Sequence, residues 1–364
     1  MNGSRSWFWR KHERSLWGYG KVESIPVSRG KPVPTKEKIM KKVGTILLGG
    51  FFFFLWVVVS SPAQDYPSRP IEFNVTWPPG GISDVQARAL CKIVEKILGQ
   101  SMVVVNKPGA NGAVGLTYLA SQKPDGYTLS LFTSSSAILF PFFEKATYKP
   151  DDFSYIMGIN YNLQVLSVKS DAPWNTFREF LDHAKKNPGK VKYATFSAIN
   201  AISISMDLIA QGEGIDWTHV PYKGDGPAIT AMLGGHVDAL ATTSAQLPYV
   251  RSGNLKLLAI FNSYHSNNFP NVPTLKALGY KFPMLSDMTT YTGVIGPKGI
   301  KPEILQKLED AFTKAARDPS YVRLLESLDC PIVYRSGKEF GKEIFSYYQI
   351  CEKLLPPIAA KMKK

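Results

Sequence analysis

Ile71-Glu72-Phe73-Asn74-Val75-Thr76-Trp77 leads directly into Pro78-Pro79-Gly80-Gly81-Ile82-Ser83-Asp84, and a helical pattern follows to about Leu98. The first seven residues are rich in β-branched and aromatic types and read as a strand. Two prolines and two glycines end it, because proline cannot continue a ladder and glycine frees the backbone to turn. Beyond the turn, Val85, Ala89, Ile93 and Ile97 recur at helical spacing on one face. Ser83 and Gln86 have the spacing of a capping box, which sets the expected helix start. Downstream, 102–105 is a second strand, Lys107-Pro108-Gly109-Ala110-Asn111-Gly112 a loop and 113–121 a helix. Pro124-Asp125-Gly126 then turns into a third strand, 127–133. This alternation predicts an α/β fold with a mostly parallel sheet and helices on both faces.

The same alternation resumes beyond Ser170. Helices are expected over 177–187, 202–211 and 227–233, and strands over 192–196, 219–222, 237–242 and 255–259. A strand over 291–295 and three helices follow, two with a proline near N1 (Pro302, Pro319) and the third over 338–355. No Pro/Ser-rich linker separates the units, so the chain is expected to cross between them more than once. The expected division is 64–168 with 286–364 as one lobe and 169–285 as the other. Two such lobes enclose a cleft that a hinge can close.

With 364 residues, 44% hydrophobic and 20% charged, the chain has enough apolar material for two domain cores. Disorder, collagen, coiled coil and a polytopic membrane protein are excluded on composition. The net charge of +14 suggests nucleic acid, but residues 1–42 hold 11 Lys/Arg against 3 Asp/Glu and 43–63 hold no charge. From Gln64 onward the surplus is only +6, with no basic stripe, so no nucleic-acid partner is expected.

Met40-Lys41-Lys42 precedes the apolar stretch 43–59, and Ser60-Ser61-Pro62-Ala63 follows, with small residues at −3 and −1 before Gln64. A basic start, an apolar middle and a small-x-small exit describe a secretory signal peptide over 40–63, cleaved after Ala63. The competing reading is a membrane anchor, but 43–59 with its three glycines is shorter than the roughly 20 residues that span a bilayer. Residues 1–39 lack apolar periodicity, so Met40 is the expected start and 1–39 an extension foreign to the native protein. Cys91, Cys330 and Cys351 show no CxxC or Cys/His spacing. Cys91 reads as core, and a Cys330–Cys351 disulfide is left open.

GxSxG, HExxH, a Walker loop and GxGxxG are all absent, so an enzyme ranks last and neither metal nor cofactor is expected. The histidines, His219 and His236 among them, read as surface or satisfied polar groups. What remains is a set of strand-to-helix loops. Gly80-Gly81-Ile82-Ser83-Asp84 opens a helix at a strand's C-terminal edge, where α/β sheets bind ligands. Its free N–H groups and helix dipole attract an anion, a carboxylate being the simplest. The bland alternative is a tight turn whose Ser83 and Asp84 serve only their own helix. Thr133-Ser134-Ser135-Ser136, Thr195-Phe196-Ser197-Ala198-Ile199-Asn200 and Tyr222-Lys223-Gly224-Asp225-Gly226-Pro227 are further loops that would face the same cleft from both lobes, though each alone also reads as ordinary loop chemistry.

At these loops the sequence resembles the substrate-binding proteins of tripartite tricarboxylate transporters, the Bug or TctC-like family. The resemblance rests on Tyr66-Pro67-Ser68-Arg69-Pro70-Ile71, Pro79 to Asp84 and Val105-Asn106-Lys107-Pro108-Gly109-Ala110-Asn111-Gly112. It continues with Pro124 to Leu129, His219-Val220-Pro221-Tyr222-Lys223-Gly224, Gly234-Gly235-His236-Val237-Asp238 and Pro270-Asn271-Val272-Pro273-Thr274. It implies a two-lobed periplasmic binding protein, or Venus flytrap, fold, monomeric, that closes on a small organic acid and delivers it to a two-subunit membrane permease. An exported sensing or partner-binding module on the same scaffold is the alternative. By position, Gly80, Gly81, Ile82 and Asp84 would form the carboxylate loop, with Thr133 and Ser134 adding contacts. On the second lobe the family's glycine-rich turn with a following histidine is replaced by Thr195-Phe196-Ser197-Ala198-Ile199-Asn200. Ser197 and Asn200, with Tyr222 and Gly224, are the expected donors there. Bulky Phe196 and Ile199 narrow or dry that side, so a monocarboxylate or an apolar or aromatic acid is expected to fit at least as well as citrate.

Overall fold

A computed structural model describes residues 65–281 and 291–362, together with four isolated positions upstream. The expected extension and signal peptide, and the expected 285/286 boundary, lie outside the described residues. Strand β1 (Ile71–Val75) is followed by helix α1 (Ile82–Leu98), β2 (Met102–Asn106), α2 (Ala113–Ala120) and β3 (Thr128–Thr133). The chain continues through β4 (Phe153–Tyr161) and β5 (Gln164–Lys169), then α3 (Phe177–Lys186), β6 (Lys192–Thr195) and α4 (Ala201–Glu213). Next come β7 (Thr218–Pro221), α5 (Asp225–Leu233), β8 (Ala239–Thr243) and β9 (Leu255–Ile260). The last elements are β10 (Tyr291–Pro297), α6 (Pro302–Ala316), α7 (Pro319–Ser327), β11 (Ile332–Ser336) and α8 (Gly337–Met362).

Among the described residues these strands make two mixed sheets, ordered β11-β4-β10-β3-β1-β2 and β7-β6-β8-β5-β9. Among these strands, β1 pairs in parallel with β2 and β3, and β6 with β7 and β8. The antiparallel members β4, β5, β9, β10 and β11 complete the sheets. β4 and β11 lie in stretches where the sequence shows no clean alternation. β5 pairs with β8 and β9 of the second sheet, so the first crossing lies at Asn162-Leu163, upstream of the 168/169 boundary expected from sequence. Asn262, just past β9, donates to the Asn162 carbonyl at 3.2 Å and accepts the Gln164 N–H at 2.7 Å. That pair ties the two connecting segments together.

Helix α1 corrects two expectations. Its buried face is Ile82, Ser83, Asp84, Gln86, Ala87, Leu90, Cys91 and Val94, whereas Val85 is exposed. Its N-cap is Gly81 with no side-chain cap, so Ser83 and Gln86 form no capping box. Gln86 instead donates to Asn162 Oδ1 at 2.9 Å, drawn inward because that carbonyl oxygen is buried at the crossing. The three cysteines are buried and unbridged: Cys91 and Cys330 pack on one face of the first sheet, Cys351 on the other.

Candidate functional site

β1 ends against Trp77, and Pro78-Pro79-Gly80-Gly81 carries the chain to the N-terminus of α1 at the edge of the cleft between the sheets. Gly80 sits at φ +80°, which glycine adopts without strain. Asp84 braces this turn rather than facing the cleft: its carboxylate accepts the Gly80 N–H (3.0 Å), Arg88 Nε (3.0 Å) and Asn106 Nδ2 (2.9 Å). Burial alone would raise its pKa, but these donors outweigh it and hold Asp84 below the ordinary carboxylate range. The first N–H groups of α1 have no partner within the helix, as at any helix start.

The inner pocket is lined by Trp77, Pro78, Gly81, Ile82 and Ser83 from one side and by Phe196, Gly224, Asp225, Gly226 and Pro227 from the other. Thr133, Ser134, Asn162, Gln164, Thr243 and Tyr291 form its floor, and its cavity volume is about 50 Å3. The Thr133 and Ser134 hydroxyls already donate, to Ser136 Oγ (3.0 Å) and the Tyr291 carbonyl (2.9 Å), while Thr133 accepts the Trp77 indole N–H (3.2 Å). A carboxylate here would therefore be held by backbone N–H groups at the start of α1 rather than by these hydroxyls.

An outer chamber of about 590 Å3 adjoins it, lined by Trp77, Pro78, Phe196, Ser197, Tyr222, Lys223 and the loop 108–112. Trp77 and Phe196, one from each side, meet edge to face with ring centroids 5.5 Å apart. They line both spaces and stand between them. Nearby, Asn111 Nδ2 donates across the cleft to the Ile199 carbonyl at 3.1 Å.

The sequence-derived residues thus fall into three groups. Gly81, Ile82, Thr133, Ser134 and Gly224 line the inner pocket; Ser197 and Tyr222 line only the outer chamber. Gly80, Asp84 and Asn200 line neither. Asn200 is the N-cap of α4: its Oδ1 accepts the Ser203 N–H (2.9 Å) and its Nδ2 donates both to the Ser197 carbonyl (2.7 Å) and to Ser197 Oγ (3.2 Å), so no donor is left for a ligand. Sequence reasoning passed over Trp77, Asn162, Gln164 and Asp225. An acid set between two glycines and just before Pro227, inside a loop already suspected, was the available signal for Asp225.

His219 is satisfied within its own lobe. Thr195 donates to the Ser197 carbonyl (2.7 Å), so the 2.6 Å contact between Thr195 Oγ1 and His219 Nε2 needs the proton on Nε2. Stacked on Tyr193 and buried, His219 has its pKa depressed to about 4.

A family model described as "Tripartite tricarboxylate transporter family receptor" matches residues 86–349. A protein of the gbd 5′ region of Cupriavidus necator is 36% identical over 281 residues, covering 77% of this chain and 84% of its own length. The solved structure of a TctC solute-binding protein from Polaromonas is 31% identical at a TM-score of 0.61, covering 81% of this chain and 99% of its own. MatC from Rhodopseudomonas palustris, solved with bound malate, shares the fold at 24% identity and a TM-score of 0.72, covering 81% of this chain and all of its own. The fold is that of periplasmic binding proteins, the relatives are solute-binding proteins rather than enzymes, and the chain belongs to the tripartite tricarboxylate transporter receptor family.

Proposed function

We propose that the protein is a periplasmic receptor that captures a small organic acid in the cleft between its two sheets and delivers it to a two-subunit membrane permease. The observation that carries the reading is the N-terminus of α1, whose N–H groups have no partner within the helix and whose dipole opens onto a pocket lined from both sides. Gly81 and Ile82 hold the carboxylate, and the remainder of the acid passes between Trp77 and Phe196 into the outer chamber. The malate held by MatC agrees with a carboxylate as guest. Phe196, 6% exposed, narrows the second-lobe side and favours an apolar or aromatic tail over a second carboxylate. Closure pivots on the crossing at Asn162-Leu163. Export follows from the signal-like segment 40–63, with cleavage after Ala63.

Thermal unfolding against a panel of carboxylic acids and their primary amides tests this. A ligand at 100 times its dissociation constant adds about 2.7 kcal/mol, a readable shift in midpoint. Stabilisation by an acid and not by its amide is the expected result. Equal effects of acid and amide overturn the anion site.

A further inference from the structure

One group in the inner pocket is out of place in a site built only for an acid. Asp225, the first residue of α5, is 7% exposed and is the sole carboxylate among the described lining residues; no Lys or Arg lines the pocket with it. Its Oδ1 accepts the hydroxyls of Thr242 and Thr243 (3.0 Å to the latter) and the Thr243 N–H at 3.5 Å. It also accepts the Ile82 N–H from the start of α1, across the cleft. Its Oδ2 lies where a Cβ on Gly81 would meet it at 3.5 Å. Every hydrogen bond it makes is one it accepts. Burial outweighs these donors and holds its pKa above the ordinary carboxylate range, so a cationic partner on the ligand is what would keep it ionised.

The charges decide what can enter. Each helix N-terminus contributes about half a positive charge. Asp225 as an anion therefore balances α1 and α5 together. A bare carboxylate arriving beside it would leave one buried negative charge without a partner, which is strongly unfavourable in a dry pocket. A second acceptor faces the same space: Gln164, 3% exposed, has its Oε1 buried with no hydrogen-bond partner. An anionic and an orphaned acceptor call for a donor on the ligand, and a cationic one restores neutrality.

We propose that the acid captured here carries an ammonium group beside its carboxylate: an α-amino acid, with Asp225 as the specificity-determining residue and Gln164 sharing the ammonium. This rests on the organic-acid reading above and names its substrate class. The carboxylate takes the N–H groups at the start of α1, displacing Asp225 from Ile82. The ammonium sits between Asp225 and Gln164. The side chain extends past Trp77 and Phe196 into a chamber walled mainly by proline, glycine, alanine and aromatic surfaces, with Asn111, Ser197 and Lys223 also lining it, so a predominantly apolar side chain fits.

The experiment is calorimetric titration of the full protein with matched pairs: leucine against 4-methylpentanoate, phenylalanine against 3-phenylpropanoate, and each amino acid's amide. The expected result is that at least one amino acid binds tenfold or more tightly than its amine-free partner. Asp225→Asn should remove most of that preference while its melting curve shows it folded. If Asp225→Asn does not fold, the wild-type pairs alone decide. Binding of the plain acids as tightly as the amino acids overturns this inference and leaves the organic-acid reading standing. Silence from both members of every pair contradicts that reading and this inference together.

Discussion

Gly80 and Gly81 are adjacent, yet substituting alanine at each should do opposite things. Gly81 has φ −79° and ψ 171°, a conformation any residue adopts. A Cβ there would meet Asp225 Oδ2 at 3.5 Å and the Pro78 carbonyl at 3.7 Å, both ordinary contacts. The folded state therefore tolerates Gly81→Ala, and the loss of backbone freedom in the unfolded chain contributes about 0.4–1 kcal/mol of stability. The methyl nonetheless points into a cavity of only about 50 Å3 at the carboxylate position. Affinity for whichever acid binds should fall by about tenfold or more, a loss of ~1.4 kcal/mol. Gly80 has φ +80°, and a Cβ there would have nothing within 4 Å. Gly80→Ala should cost about 1 kcal/mol of backbone strain, lowering the melting midpoint by about 2–4 °C, without touching the pocket. Calorimetry without ligand and titration with the tightest acid read the two effects separately. A Gly81→Ala protein that binds as wild type refutes the site assignment. A Gly80→Ala protein that melts as wild type refutes the account of the turn.

Acid stability should depend on two opposed groups beside Tyr193: His219, stacked on its ring, and Asp207, which accepts its hydroxyl. His219, depressed from 6.5 to about 4, contributes stability that is complete above pH 6.5 and is lost as pH falls toward 4. Asp207, raised by burial from 3.8 to about 6, acts the other way, because the folded state binds its proton first and gains stability over that window. His219→Gln should therefore become more stable relative to wild type between pH 6.5 and 4, by at most about 3 kcal/mol; parallel pH profiles in denaturant titrations would contradict the assignment. Burial raises Cys330 to about 12 and Cys351 to about 11, and Cys91 higher still. A thiol reagent at pH 8 should find none of the three in the native protein and three in urea, whereas one in urea would reveal a disulfide. Asn262→Ala removes a buried bridge between the crossing segments and should cost about 1–3 kcal/mol, read as a lower urea midpoint. The exported protein should have an intact mass that begins at Gln64; a mass that includes Met40 contradicts cleavage.

Much of the fold was legible because its punctuation is local. Pro78 to Gly81 stops a strand and starts a helix whatever surrounds it, and Pro302 and Pro319 mark helix starts by the same chemistry. β4 and β5 escaped because their order depends on the neighbouring strands. β4 is buried along nearly its whole length, so it shows no alternation, and Gly158, Asn160 and Gln164 interrupt the apolar run. Asn160 makes sense only once Asn162 and Thr292 close its hydrogen bonds, and Gln164 only once its side chain is seen to line the inner pocket. In the site, the start of α1 was readable, but the use of each side chain was not. Ser83 looked like a cap, yet Gly81 holds that position and Asp84 braces the turn. Asn200 looked like a ligand donor and proved to cap α4. Asp225 looked like loop chemistry; its place in the pocket depends on the Ile82 N–H of α1, more than a hundred residues away in sequence.

The central claim is that this cleft holds a carboxylate at the start of α1. The most direct measurement is a calorimetric titration of one acid and its primary amide into wild-type and Gly81→Val protein. The account predicts a saturable heat for the acid with wild type alone, and none for the amide or for the folded variant. An acid that binds Gly81→Val as tightly as wild type would contradict it.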